Sequence, residues 1–198
     1  PAFLLAAKLP LPKRVYGHGW ILSGDEKMSK SKGNILNPIE IIDNYGIDEL
    51  RYYLMKEVSH GSDGTISLKN LENCINSDLA NNYGNLCQRV FSFVRDNCKS
   101  KVTKTKNTSS TDMRLIEQTK NLTNDLRHLM DNQNLNNYIK SVINISFLTN
   151  KYINDEEPWK LKKENIEKMN NILHLSLEQI AKISVLLNPI IPEATTKV

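Results

Sequence analysis

The chain has 198 residues, 39% of them hydrophobic and 24% charged, with a formal net charge of +4. That length makes one large domain or two small ones, and the mildly basic balance suits a nucleic-acid partner. No apolar run reaches membrane-spanning length, no signal-peptide pattern is visible, and Cys74, Cys87 and Cys98 lack the paired C-x-x-C spacing of a zinc site, so the expectation is a cytoplasmic protein with reduced thiols, no membrane span and no metal site.

Residues 2–7 are rich in Ala and Leu and read as the end of a helix halted before Pro10 and Pro12. Val15, Tyr16, Trp20, Ile21 and Leu22 suggest a short strand over residues 13–22. Within it Gly17 and Gly19 bracket His18, where backbone could approach a ligand closely. Ser23-Gly24-Asp25-Glu26 is turn chemistry. It leads into Lys27-Met28-Ser29-Lys30-Ser31-Lys32-Gly33-Asn34, which has a single apolar side chain. Such a segment cannot bury itself. It reads as an exposed, mobile loop whose cations and hydroxyls suit a polyphosphate.

Asn37 then caps a helix over residues 38–45, with Pro38 in its first turn, Glu40 placed to close a capping box and Gly46 ending it. Asp48 is read as the cap of a second helix to Glu57, with Leu50, Tyr53 and Leu54 on one face. A turn over residues 60–64 follows, and Ser67 caps a helix carrying Leu68, Leu71 and Ile75. Beyond Asp78 the pattern is all helical. Leu79, Tyr83, Leu86, Val90, Phe93 and Val94 recur at three- and four-residue steps, so one long helix is predicted to Cys98. A neighbouring face carries Asn82, Asn85, Arg89 and Ser92 and, on composition alone, reads as solvated.

Residues 99–112 have four lysines and only Val102 as a core residue, which makes a loop. Asp112 is read as the cap of a helix with Leu115, Leu122, Leu126 and Leu129 inward. Leu135, Tyr138, Ile139, Val142 and Ile145 mark another, broken at residues 154–159. A last helix runs from about Asn165 and stops before Pro189. Antiparallel helices with short loops make a bundle. The start at Pro1 and the helix start at Pro192 and Glu193 suggest a piece of a longer protein.

Lys27-Met28-Ser29-Lys30-Ser31 is identified as the signature loop of class I aminoacyl-tRNA synthetases. With Leu50-Arg51-Tyr52-Tyr53-Leu54-Met55-Lys56-Glu57-Val58, Gly61-Ser62-Asp63-Gly64, Asn85-Leu86-Cys87-Gln88-Arg89 and Glu157-Pro158-Trp159, the chain resembles the C-terminal part of the methionyl-tRNA synthetases. The resemblance covers nearly the whole chain. Sister synthetases for Ile, Val, Leu and Cys share the loop, and a free-standing tRNA-binding module is the competing class. The fold it implies is mainly α: residues 1–70 as a small α/β remnant of a Rossmann-type catalytic domain, with the loop and connecting helices, and residues 71–198 as an antiparallel anticodon-binding bundle.

The resemblance implies methionine, ATP with Mg2+, and tRNA(Met) as substrates. Lys30 would neutralise charge on the leaving pyrophosphate, with Lys27, Met28, Ser29, Ser31 and His18 around the nucleotide. Trp159 would stack on the first base of a CAU anticodon while Asn85 and Arg89 read its edge. The family's His-x-Gly-His motif and methionine pocket have no match here. The segment alone is therefore expected to hold half an ATP site and to be inactive.

Overall fold

The computed structural model describes residues 1–198 apart from Tyr16, His18, Asp25, Lys30, Ser31, Lys32, Asn34, His60, Thr105 and Lys106. Its elements are α1 (Ala2–Ala6), β1 (Ile21–Ser23), β2 (Glu26–Lys27), α2 (Pro38–Tyr45), α3 (Ile47–Glu57), β3 (Gly64–Ile66) and α4 (Leu68–Cys74). A π-helical segment (Ile75–Gly84) then leads into α5 (Asn85–Cys98), α6 (Ser110–Thr123), α7 (Leu126–Asp131), α8 (Leu135–Glu156), α9 (Pro158–Glu164), α10 (Ile166–Leu187) and α11 (Pro192–Thr196). The molecule is mainly α with a small mixed sheet, as the periodicity predicts.

That sheet has the order β2-β1-β3. β1 pairs antiparallel with β2, Leu22 facing Lys27, and parallel with β3, Leu22 facing Thr65. The strand expected over residues 13–22 is thus shorter and later, and Thr65 and Ile66, read as a lead-out, form its partner. The close approach at Gly19 is to the chain itself: a Cβ there would sit 2.1 Å from the Ser62 carbonyl carbon. Trp20 N–H donates to Asp63 Oδ1 at 2.7 Å and Gly64 N–H to Trp20 O at 2.9 Å, closing this crossing.

Local chemistry sets the helix ends. The Asn37 side chain accepts from Ile39 N–H at 3.1 Å, and its amide donates to Glu40 Oε1 at 2.9 Å, a side-chain variant of the expected capping box. Gly46 ends α2 at φ 106°, a region that favours glycine. Asp48 does not cap α3, which already begins at Ile47. It is buried, and its Oδ2 accepts from Ala194 N–H at 2.8 Å, in the first turn of α11. Likewise Asp112 is the third residue of α6, not its cap. Ser109 caps that helix, and the two exchange reciprocal bonds in a capping box. The helix expected through Leu129 is broken into α6 and α7.

The long helix expected to Cys98 changes its winding. Over Ile75–Gly84 it is π-helical, and only then α. The wide turns bring Leu79 O within 2.9 Å of where a Gly84 Cβ would sit. They also carry Asp78, Asn82 and Tyr83 into the interior. Asn82, read as part of a solvated face, is only 2% exposed.

One continuous core runs from Ile41 to Ile191, with α8 and α10 at its centre. Burial of Ile139, Val142, Ile145, Ile172, Ile183 and Leu187 removes their apolar surface from water, each side chain contributing about 1.5–3 kcal/mol. Several hydroxyls inside this core are satisfied locally. Thr149, Ser176 and Ser184 donate back to the carbonyls four residues earlier, each at 2.7 Å. The Asp112 carboxylate joins three helices, accepting from Tyr152 OH on α8 at 2.5 Å and from Asn171 Nδ2 on α10 at 2.6 Å.

Helix α3, between β2 and β3, grips the bundle. Arg51 on α3 donates to the carbonyls of Pro189 and Ile190, both at 2.8 Å, where α10 has ended. Deeper in the seam, Lys56 Nζ lies 2.8 Å from Asp78 Oδ2, which also accepts from Tyr52 OH at 2.7 Å. Burial pulls Lys56 down, but its bonds to Asp78 and Glu57 outweigh this and hold it above the usual lysine range. Burial first, and then the Asp78 charge, push the Tyr52 phenol far above its ordinary value.

Candidate nucleic-acid interface

Arg89 lies on α5 and Trp159 on α9, elements far apart in the chain. Glu157 takes a left-handed conformation (φ 44°) that ends α8 and swings Pro158 into the first turn of α9. That sharp return sets Trp159 beside α5. The Arg89 guanidinium carbon lies 5.9 Å from the centroid of the Trp159 ring, within cation–π range. Trp159 is 44% exposed, so part of its surface is open to a stacking partner. It is not a core tryptophan.

Behind this pair stands a row of polar side chains that sequence reasoning missed. Arg89 Nη2 donates to Asn154 Oδ1 at 2.7 Å and Nη1 to Asn150 Oδ1 at 3.4 Å. Asn150 Nδ2 in turn donates to the Asn82 backbone and side-chain oxygens, each at 3.1 Å, and Ser146 Oγ donates to Asn82 Oδ1 at 2.9 Å. Ser146, Asn150 and Asn154 are spaced four apart on α8, a polar stripe that could have been read from the sequence. What could not be read is that the π-helical segment turns Asn82 inward to meet it. The guanidinium is thus held by two α8 asparagines beside an aromatic face.

Asn85, one turn before Arg89, is half-buried. Its side chain makes no hydrogen bond among the described residues, and its place on the Arg89 side of α5 follows from helical spacing.

The signature loop leaves the sheet through β2. Lys27, the last residue of that strand, is exposed, and its ammonium sits 4.1 Å from the centroid of the Trp20 ring. Met28 is partly buried against the core, as the sole apolar anchor of the loop should be, and Ser29 is half-buried. Gly33 has φ 65°, a turn conformation suited to glycine. Lys30 and Ser31, like His18, lie outside the described residues. Among the described residues no group of three or more His, Cys, Asp or Glu could hold a metal ion, and no helix is long and apolar enough to cross a membrane. The three cysteines are free thiols.

Comparison with known proteins gives two family matches along the chain. Residues 1–91 match a family model described as tRNA synthetases class I (M), and residues 102–198 match one described as the anticodon binding domain of methionyl tRNA ligase. The methionine–tRNA ligase of Brucella suis is 39% identical over 197 residues, an alignment covering all of this chain and 38% of that protein. That of Rickettsia conorii is 40% identical over 200 residues, covering 39% of it. Among solved structures, Mycobacterium tuberculosis methionyl-tRNA synthetase in complex with methionyl-adenylate superposes with a TM-score of 0.90 at 33% identity, over the whole of this chain and 40% of that one. The chain thus spans about two-fifths of the length of the relatives it matches. Taken with the signature loop and the mainly α bundle, these matches show that the chain belongs to the methionyl-tRNA synthetase family of class I aminoacyl-tRNA synthetases.

Proposed function

We propose that the chain is the part of a methionine–tRNA ligase that carries the nucleotide-closing loop and reads the anticodon. The ligase would activate methionine with ATP, which enters as a substrate with its magnesium ion, and then transfer the methionyl group to tRNA(Met) in the cytoplasm. Residues 1–70 would serve the first step and residues 71–198 the recognition of the tRNA.

In the first step, Lys30 would bring its ammonium to the pyrophosphate as the bond to the α-phosphate breaks. A cation held there only in the closed state lowers the barrier more than it strengthens ground-state binding. Lys27, Met28, Ser29 and Ser31 would carry and shape that loop, and His18 would lie beside the nucleotide. A free-standing tRNA-binding module would have no use for such a clamp. In the second role, Trp159 would stack on the first base of the CAU anticodon while Arg89 and Asn85 offer hydrogen bonds to its edge. The observation that carries this reading is the convergence of Arg89 and Trp159 at 5.9 Å on an exposed face.

The two roles separate kinetically. In an enzyme of the relatives' length that carries this segment, Trp159→Ala should raise KM for tRNA(Met) roughly 5–150-fold, the equivalent of about 1–3 kcal/mol of lost stacking. Methionine-dependent pyrophosphate exchange should stay unchanged. Lys30→Ala should do the converse, slowing exchange while methionine binding holds. If Trp159→Ala left tRNA charging intact, or Lys30→Ala left exchange intact, the corresponding role would be lost.

A further inference from the structure

A second feature lies beyond the proposed base-reading pair. A groove of about 260 Å³ runs between the end of α5, the loop that follows it, and the α9–α10 corner. Lys101 and Lys162 both line it, together with Asn97, Thr103, Met169 and Asn170. No carboxylate is among its lining residues. Both lysines are exposed, and neither forms an ion pair among the described residues. Lys162 is instead held by a neutral partner, donating to Asn97 Oδ1 at 2.9 Å. Its charge reaches the adjacent Cys98 thiol, partly offsetting the upward push of burial. On α9 and in the loop, Lys160 pairs with Glu157 at 2.8 Å and Lys104 with Glu178 at 3.7 Å, whereas Lys99 and Lys163, like the two groove lysines, form no ion pair among the described residues. The groove therefore concentrates positive charge that the protein leaves unneutralised, beside amide groups that can both donate and accept.

Its position gives that charge a partner. Lys162 follows Trp159 by one turn of α9, and Asn97 lies two turns beyond Arg89 on α5, about 12 Å along the helix axis. A nucleic-acid strand carries a phosphate every few ångströms. A strand with one base on Trp159 thus brings backbone phosphates to the groove within one or two nucleotides.

We propose that the Lys101–Lys162 groove binds the phosphate backbone of the RNA whose anticodon base stacks on Trp159, supplying affinity and register but no base identity. The inference rests on the anticodon reading above for its direction, and its test separates the two. Phosphate contacts weaken binding alike for all sequences and lower the salt slope by about one per contact, whereas base contacts change discrimination.

The experiment compares the chain with its Lys101→Gln/Lys162→Gln variant, using a CAU anticodon stem-loop and one with the first anticodon base changed, from 50 to 200 mM salt. A Lys8→Gln/Lys13→Gln variant, in the N-terminal segment, makes the same change in net charge. Glutamine keeps a donor for Asn97, and circular dichroism reports whether each variant is folded. The expected result is a salt slope shallower by about one to two for the groove variant alone, with weaker binding of both RNAs and an unchanged ratio between them. A slope equal to that of the unsubstituted chain, or an equal loss in the Lys8/Lys13 variant, would overturn the proposal. If the slope falls but neither protein distinguishes the two RNAs, the groove's role stands and the anticodon reading fails.

Discussion

Single side chains carry unusual weight where a buried charge has several neutral partners. Asp112 is 3% exposed and accepts from Tyr152, Asn171 and the Ser109 backbone N–H. Removing the carboxylate leaves a buried phenol and an amide without their acceptor, in addition to opening the α6 capping box. Asp112→Ala should cost about 3 kcal/mol, read as a lower urea midpoint at unchanged slope. A loss below about 0.5 kcal/mol would mean that the three-helix junction does not depend on it. At this scale the sequence was only partly legible. Its S-x-x-D pattern at Ser109 contains the capping box, although Asp112 by itself also reads as a cap. The i, i+4 spacing of Asn85 and Arg89 gave their shared face. Trp159 is legible only through the family resemblance, because nothing local reveals that a left-handed Glu157 returns the chain to α5.

Helices were legible as a class because apolar side chains recur at their period, and the deviations from that period were not. A sequence pattern cannot distinguish π from α winding over ten residues when both bury Tyr83 and Leu86. Gly84 offers a test. Alanine stabilises an ordinary α-helix interior by about 1 kcal/mol relative to glycine. Here its Cβ would meet Leu79 O at 2.9 Å, so Gly84→Ala should yield no gain and should lower the thermal midpoint. A rise in the midpoint would indicate α winding. The strands were poorly legible for a different reason: each is two or three residues long, too short for alternation to register.

The same buried helices make stability depend on alkaline pH. Burial pushes the thiols of Cys74 and Cys87 up to about 11, and the Tyr83 phenol up to about 12. In each case the folded value lies above the ordinary one, so the folded chain holds its proton longer than the unfolded chain. The resulting stability is fully present below the unfolded thiol value, near 9, and is lost as pH rises through the folded values. Urea unfolding followed from pH 8 to 11 should therefore show a falling free energy above about pH 9. A flat profile over that range would contradict the burial of these groups.

Across the whole molecule, the part bearing the signature loop and the bundle are joined by polar locks: Arg51 on the Pro189 and Ile190 carbonyls, Asp48 on α11, and Lys56 with Asp78. None of these was visible in the sequence, since each pairs residues that only the fold brings together. They nevertheless give the bundle a fixed seat, and with it the orientation of the Arg89–Trp159 face. The central claim is that this face reads an anticodon base, and the direct measurement is titration of the chain with a CAU stem-loop and with one altered at the first anticodon base. The account predicts weak, salt-dependent binding that drops by about 1–3 kcal/mol for the altered loop, with most of that difference gone in a folded Trp159→Ala variant. Equal affinity for both loops by a folded, unsubstituted chain would contradict it.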